Sequence, residues 1–334
     1  MTPAPVLDDV CAQVHSLILV SGTLAPLSSA ELGSGFATNL ASQMLLAPHV
    51  IGRPQLLVPL ITKFKDGTPI KCNYEMLQKD SHLLEIGNLI VSFVAYIPCG
   101  VLVFLPSYTL LERCLKVWKQ PLQFIENRQK NSKVVVIEPK GTGDEFQFQR
   151  EKFERNAKQG ALLLAVYRGK MSEGISFNDH FARGVVCLGI PYPPSKGPEI
   201  VQKRRFNDMR LRASHNKTIA ASASSAANSN SNQSANQNGD LSGLLSGDAW
   251  YGQQAFRAVS QALGRCVRHP KDYGTILMID SRWGEKSNYK KLPAWIQHFL
   301  QLPTDCKAAL VAVNNHFQNP NSYCQQQGRL NNSS

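Results

Sequence analysis

Leu89–Pro106 reads LIVSFVAYIPCGVLVFLP, eighteen residues without a charge. That length is close to what a membrane-spanning helix needs, but the middle of the run speaks against a span. Pro98, Cys99 and Gly100 stop a helix and turn the chain, so the run divides into a buried helix and then a strand through Val101, Leu102, Val103 and Phe104. A strand that is apolar at every position is covered on both faces, as in a parallel sheet.

The alternation of helix and strand extends outward from this stretch. Glu75 to Ile97 has helical character, and Ser107 is placed to cap a helix in which Leu110, Leu111, Leu115 and Trp118 recur at helical spacing. Val134 to Ile137 reads as a strand, Glu145 to Lys158 as a polar helix, Ala161 to Val166 (ALLLAV) as a strand and Val185 to Ile190 as another. A basic helix from about Glu199 to Arg212, a helix from Trp250 to Val267 and a strand from Thr275 to Ile279 complete the series. Near the start, His15 to Val20 (HSLILV) reads as a short buried strand delivering the loop Ser21-Gly22-Thr23, and a weakly patterned stretch follows to about residue 72. Continuous apolar strands separated by helices predict an α/β fold with a doubly wound parallel sheet. Ser214 to Gly239, built of Ala, Ser, Asn and Gln, has almost nothing to bury and is expected to be a disordered insertion within one domain. The stretch from about Thr304 is expected to be a loosely attached tail.

The chain has 334 residues, enough for one large or two ordinary domains with cores that need no staples. Lys and Arg number 36 against 24 Asp and Glu, a formal charge of +12, while charged residues make up only 18%. Scarce acids, more than abundant bases, give the excess, and it favours an anionic partner such as nucleic acid or nucleotide. The cysteines at positions 11, 72, 99, 114, 187, 266, 306 and 324 are scattered, with no C-x-x-C. This spacing argues against a zinc ribbon, a sequence-local iron-sulfur site or a secreted disulfide framework, and no metal ligands are assigned. MTPAPVLDDV lacks a base and a long apolar run, so no secretory leader is expected and a reducing compartment is.

Two strings carry chemistry. After Ala161–Val166 comes Arg168-Gly169-Lys170-Met171-Ser172-Glu173-Gly174-Ile175-Ser176-Phe177, in which glycines let backbone amides approach a phosphate and the bases supply charge. A surface turn with solvated charges is the plainer reading. Gly169-Lys170-x-Ser172 is not the end of a P-loop, because that motif needs a glycine where Leu164 stands. In the second string, Gln261-Ala262-Leu263-Gly264-Arg265-Cys266-Val267-Arg268, the amide and both guanidiniums fall at i, i+4 and i+7 and would share one helix face. Guanidiniums bind phosphate oxygens bidentately and suit the charge of a transferring phosphoryl group, although a solvated basic face has the same spacing. Asp144-Glu145 is read as a helix start rather than a magnesium-binding pair.

In order along the chain, SGTLAP (Ser21 to Pro26), VLVFLPSY (Val101 to Tyr108), RGKMSEGISF (Arg168 to Phe177) and QALGRCVRHPKDYG (Gln261 to Gly274) resemble motifs III, IV, V and VI of the XPD-like superfamily 2 DNA helicases. The resemblance runs from about His15 to about Leu300, the insertion excepted. It implies the last strand of a first motor domain with motif III in residues 1–27, a second RecA-like motor domain in 28–213 and 240–303, the insertion at 214–239 and the tail at 304–334. It further implies that ATP and Mg2+ sit between the two motor domains, that single-stranded DNA crosses both, and that hydrolysis drives 5′ to 3′ translocation in the nucleus. By the same resemblance Arg265 and Arg268 reach the γ-phosphate with Gln261 beside them, and Gly169, Glu173, Gly174 and Ser176 face the nucleotide. Ser21, Gly22 and Thr23 couple hydrolysis to movement, while Ser107, Tyr108, Arg168 and Lys170 are candidates for DNA-binding contacts to the backbone or for coupling contacts. Implied partners are the first motor domain, single-stranded DNA and DNA-repair or telomere proteins, with no membrane.

The departures from that family are physical. No G-x-x-x-x-G-K-[ST] and no D-E-A-H-type box follows a strand, and the four-cysteine iron-sulfur cluster of the family's first half is not in this chain. Ser176 stands where the family has Asp at the ATP ribose, and a neutral hydroxyl binds there more weakly than a carboxylate. This chain alone is therefore expected to be inactive as an ATPase. The alternative is a free-standing nucleic-acid-binding or regulatory module that keeps the fold without catalysis.

Overall fold

The computed structural model describes residues 4–18, 50–141, 143–171, 177–225 and 245–318. They fall into two compact units, one of Met1–Ala47 with Tyr192–Ala255 and the other of Pro48–Pro191 with Phe256–Ser334.

The larger unit is built on a seven-stranded sheet whose paired strands all run parallel. Its strands are β1 (Leu56–Ile61), β2 (Gly100–Leu105), β3 (Val134–Ile137), β4 (Ala161–Val166), β5 (Gly184–Leu188), β6 (Gly274–Ile279) and β7 (Leu300–Gln301). They lie in the order β3-β4-β2-β5-β6-β1-β7. The α/β doubly wound parallel fold expected from the apolar runs is the fold observed. All six residues of β2 and all six of β4 are buried, and β2 is paired on both sides, with β4 and with β5.

The stretch Leu89–Pro106 folds as a helix end, a turn and a strand. Among the described residues no helix is long and apolar enough to cross a membrane. Helix α2 (Asp80–Val94), numbered after α1 (Ala4–Gln13), buries nine residues including Leu83, Ile86, Ile90 and Phe93. It packs against Trp118, whose indole Nε1 donates to the Leu83 carbonyl at 2.6 Å. Gly87 makes that approach possible, since a Cβ there would lie 2.5 Å from Trp118 Cδ1. Past the helix, Cys99 takes φ 55°, left-handed backbone that a non-glycine residue adopts only at some cost, and β2 starts at the next residue. The buried Lys133 secures this turn by donating from Nζ to the carbonyls of Ile97 (2.7 Å) and Cys99 (2.6 Å).

Helices α3 (Tyr108–Val117) and α4 (Lys119–Glu126) follow β2, and α5 (Asp144–Asn156) follows β3, with Asp144 and Glu145 in its first turn as expected of a helix start. Two strands escaped the sequence reading. Pro59 interrupts the β1 pattern because proline cannot donate to a ladder, and β7 is only two residues long. The described part of the stretch beyond Thr304, residues 305–318, is also firmer than expected. Helix α10 (Cys306–Gln318) buries Cys306, Ala309 and Val313 in the main core; α8 (Lys286–Tyr289) and α9 (Ala294–Gln297) are the short helices before it.

In the smaller unit, helix α6 (Pro198–Ser225) carries the basic run and continues through Ser225, so residues 214–225 of the low-complexity segment are helical. Alanine and the absence of proline and glycine there permit this. Residues 226–239 of that segment lie outside the described residues. The strand expected at His15–Val20 is not present in its described part. His15 to Ile18 are not extended into a sheet, Ile18 is 82% exposed, and a lone strand without partners has no stability of its own. Helix α7 (Gly247–Leu263) spans the boundary between the units in sequence.

Candidate nucleotide and nucleic-acid sites

Because the strands are parallel, the loops divide between two edges of one sheet, and the candidate residues divide with them. Leu105 pairs with Val166 at the carboxyl ends of β2 and β4, so the segments beginning Ser107-Tyr108 and Tyr167-Arg168 are neighbours there. Gly184 pairs with both Val101 and Thr275 at the opposite ends of their strands, which puts Arg183 and the segment Gly264–Tyr273 at the amino edge.

At the carboxyl edge Ser107 is extended (φ −157°, ψ 159°) and its hydroxyl caps α3, accepting from the Leu110 N–H at 3.2 Å. Tyr108 follows as the first residue of that helix. Past β4, Arg168 adopts φ 61° and, like Lys170, is exposed, whereas Gly169 and Met171 are buried. Among the described residues of this loop, the Tyr167, Gly169 and Met171 amides are already bonded within the fold. The buried Glu138, directly after β3, takes the Val166 N–H on Oε2 at 2.8 Å and the Met171 N–H on Oε1 at 2.8 Å. Burial, and then the charge and hydrogen bonding of Glu138, push the Tyr108 hydroxyl up to about 12. Gly169 is needed because a Cβ there would meet the Glu138 carboxylate at 2.4 Å. Gly169 thus packs on a carboxylate, at the edge away from Arg265 and Arg268.

The amino edge changes the reading of the second string. Helix α7 ends at Leu263, and the Gly264, Arg265 and Cys266 amides bond back to Ser260 (3.1 Å), Ala262 (3.1 Å) and Leu263 (3.3 Å) in a tightening turn. Gln261 is on the helix, Arg265 is in the turn and Arg268 lies beyond it, so the shared helix face expected from their spacing does not form. Glycine at 264 favours termination over a further turn.

A buried polar network fixes the segment instead. Asp272, fully buried, receives Arg183 Nη1 at 2.5 Å, the Arg268 N–H at 3.2 Å and the Tyr273 N–H at 2.9 Å. Arg183 also donates to the Tyr273 carbonyl at 2.7 Å and lies 3.9 Å from the Tyr273 ring centroid. From the far end of the chain, Gln55 Nε2 donates to the carbonyls of Pro270 (2.7 Å) and Asp272 (2.8 Å). Partial burial pulls the Arg268 guanidinium below its ordinary pKa, and the nearby Asp272 carboxylate opposes that shift; an arginine stays charged regardless. Asp179, His269 and Asp272 bring three possible metal-ligand atoms within 4.8 Å of one another. The Arg183 guanidinium already meets that charge, bonding to Asp272 and lying 3.8 Å from Asp179, so a metal ion would face a fixed cation.

Glu138, Asp272, Arg183 and Gln55 were not among the sequence candidates. An acid directly at the carboxyl end of a strand was the available signal for Glu138. Ser21, Gly22, Thr23, Glu173, Gly174 and Ser176 lie outside the described residues. In the smaller unit, Tyr192 stacks on Tyr251 with centroids 5.4 Å apart, the Tyr251 hydroxyl donates to the Pro193 carbonyl at 2.7 Å, and Arg204 lies 5.0 Å from the Tyr251 ring centroid.

Residues 90–299 match the helicase C-terminal domain family model. The regulator of telomere elongation helicase 1 homolog of Drosophila ananassae is 35% identical over 292 residues, covering 86% of this chain and 26% of that protein. The regulator of telomere elongation helicase 1 of Mus musculus is 34% identical over 299 residues, covering 88% and 22%. Among solved structures, that of S. tokodaii Xpd4 covers 78% of this chain and 40% of its own at 17% identity and a TM-score of 0.44. The chain spans about a quarter of the length of the curated relatives it matches. With the family model matching more than half of the chain and covering most of the sheet, the chain belongs to the helicase C-terminal domain family.

Proposed function

We propose that this chain is the second RecA-like motor domain of an ATP-dependent 5′ to 3′ DNA helicase acting in DNA repair or telomere maintenance in the nucleus. The observation that carries the reading is the separation of its charged candidates onto two edges of one rigid sheet. Arg168 and Lys170 stand exposed beside Tyr108 at the carboxyl edge, suited to a phosphate backbone. Arg265 and Arg268 stand at the amino edge, suited to a transferring phosphoryl group. The telomere role is suggested by the names of the relatives.

The sequence holds no phosphate-cradling glycine loop with its lysine and no D-E-A-H-type box after a strand. A first motor domain has to bring these, together with ATP and Mg2+, and in the family an iron-sulfur cluster. Arginines that stabilise charge on a phosphoryl group act on a site that other groups assemble, so turnover by this chain alone is not expected.

The test is DNA-stimulated ATP hydrolysis by this chain combined with a first motor domain bearing the cradle lysine. Arg265→Ala and Arg268→Ala should each cut kcat by roughly a thousandfold, the range of arginine-finger effects, while oligonucleotide affinity changes little. An unchanged kcat removes the role. Salt-sensitive DNA binding with no hydrolysis in the combined protein would establish the free-standing binding module instead.

A further inference from the structure

We propose that Glu138 is the positioning residue of the Arg168–Lys170 loop, an internal anion that occupies the loop's amide nest and thereby sets both bases outward. The proposal rests on the reading of that loop as a contact for a phosphate backbone. Glu138 follows β3, where its own N–H donates to the Leu164 carbonyl at 2.9 Å, and only 2% of it is exposed. Its two oxygens divide the loop between them, Oε2 holding the amide where the loop leaves β4 and Oε1 the amide of Met171 where it ends.

Between those fixed points the chain has little freedom. The Gly169 N–H closes a turn on the Val166 carbonyl at 2.9 Å, the Gly169 Cα faces the carboxylate, and Arg168 is held in left-handed backbone. A non-glycine residue keeps that conformation only where its surroundings over-determine it. A buried carboxylate is itself tolerable only when fully hydrogen-bonded, and here two amides and the Tyr108 hydroxyl meet it. One side chain thus ties the start of the segment after β2 to both ends of the segment after β4. An amide nest of this kind would otherwise attract a phosphate inward; with the carboxylate in it, phosphate is met by the exposed bases.

Glu138→Gln tests this, since a carboxamide has one acceptor oxygen and must abandon one of the two backbone amides. Two readouts are taken on the full chain: residue-resolved amide hydrogen exchange, and binding of a labelled single-stranded oligothymidylate across a salt series. The expected result is exchange at Val166 or Met171 faster by tenfold or more with Leu162 to Ala165 unchanged. Affinity at low salt should fall about tenfold, and the log–log salt slope should shrink by about 0.7 for each backbone phosphate lost, up to two. A loop that merely folds on Glu138 would not move that slope. Retained protection at both amides overturns the proposal, as does lost protection with unchanged affinity and slope. If the wild-type chain binds no oligothymidylate while the variant loses protection only locally, the brace is supported and the DNA reading of the loop falls. If Glu138→Gln does not fold, Gly169→Ala keeps the charge but drives a Cβ into the carboxylate, and undisturbed amides in that variant overturn the proposal.

Discussion

Asp272→Asn is the perturbation that separates a structural network from a decorative one. The Asp272 side chain has no exposed surface, that of Arg183 has 10%, and the pair meets at 2.5 Å. Asparagine keeps the shape and one acceptor but removes the charge, leaving a buried guanidinium with the Tyr273 carbonyl and ring and the more distant Asp179. Removing one partner of a buried pair typically costs about 3–5 kcal/mol, and the retained shape places this change near ~3 kcal/mol. For a unit of this size that is a melting-point fall of roughly 6–12 °C. The assay is reversible chemical denaturation of wild type, Asp272→Asn, Arg183→Met and the double variant. The cost of desolvating both charges disappears when both are removed, so the double variant should be more stable than the sum of the singles by about 2 kcal/mol or more. A single-variant loss below about 0.5 kcal/mol, within the range of ordinary surface substitutions, would refute the reasoning, as would strict additivity.

Two further outcomes follow from other sites. Burial lowers Lys133 from 10.5 to about 8, with the Cys99 thiol opposing. The unfolded chain therefore binds more protons between about pH 8 and 10.5, stability from this group rises across that window, and charge burial costs up to ~3 kcal/mol below it. Wild type should gain stability relative to Lys133→Met between pH 8 and 9 in denaturant titrations, and parallel curves would disprove it. Buried cysteines such as Cys187, raised to about 12, and Cys266 act in the opposite sense above pH 9, which is why the comparison is made against the variant. Ser107→Ala removes the α3 cap and should cost about 1 kcal/mol in the same assay; no change would mean that water replaces the hydroxyl.

Strands were legible where both faces are buried. Val134–Ile137 and Ala161–Val166 were read with the boundaries observed, because covered parallel strands are unbroken apolar runs. β1 was lost to Pro59, whose missing N–H mimics a break in pattern. The arginines were legible as residues but not as geometry, since helical spacing presumes a helix and Gly264 ends it. The residues that hold the site were illegible for a different reason. Gln55 reaches backbone carbonyls 215 and 217 positions away, and Glu138 reaches amides 28 and 33 positions away. Backbone groups are the same at every residue, so no side-chain pattern marks their partners.

Parallel topology also sends the two ends of one connection to opposite edges of the sheet. The chain leaves β4 at the carboxyl edge at Val166 and enters β5 at the amino edge at Gly184, with β2 between the two strands. A six-residue strand spans about 20 Å, so the two ends of that connection lie roughly that far apart along the sheet. The string beginning at Arg168 therefore opens beside Tyr108 and Glu138, and its continuation arrives beside Arg183, Asp272 and Arg268. Arg168, Gly169 and Lys170 stand at the carboxyl edge, whereas Arg265 and Arg268 precede β6 at the amino edge, so the two sets of bases cannot act on one phosphate across that span. On the proposed function, a polyanion would meet one edge and a phosphoryl group the other. Glu138 and Asp272 are equivalent devices, each a buried carboxylate bonded to backbone next to or at an arginine, Arg168 at one edge and Arg268 at the other.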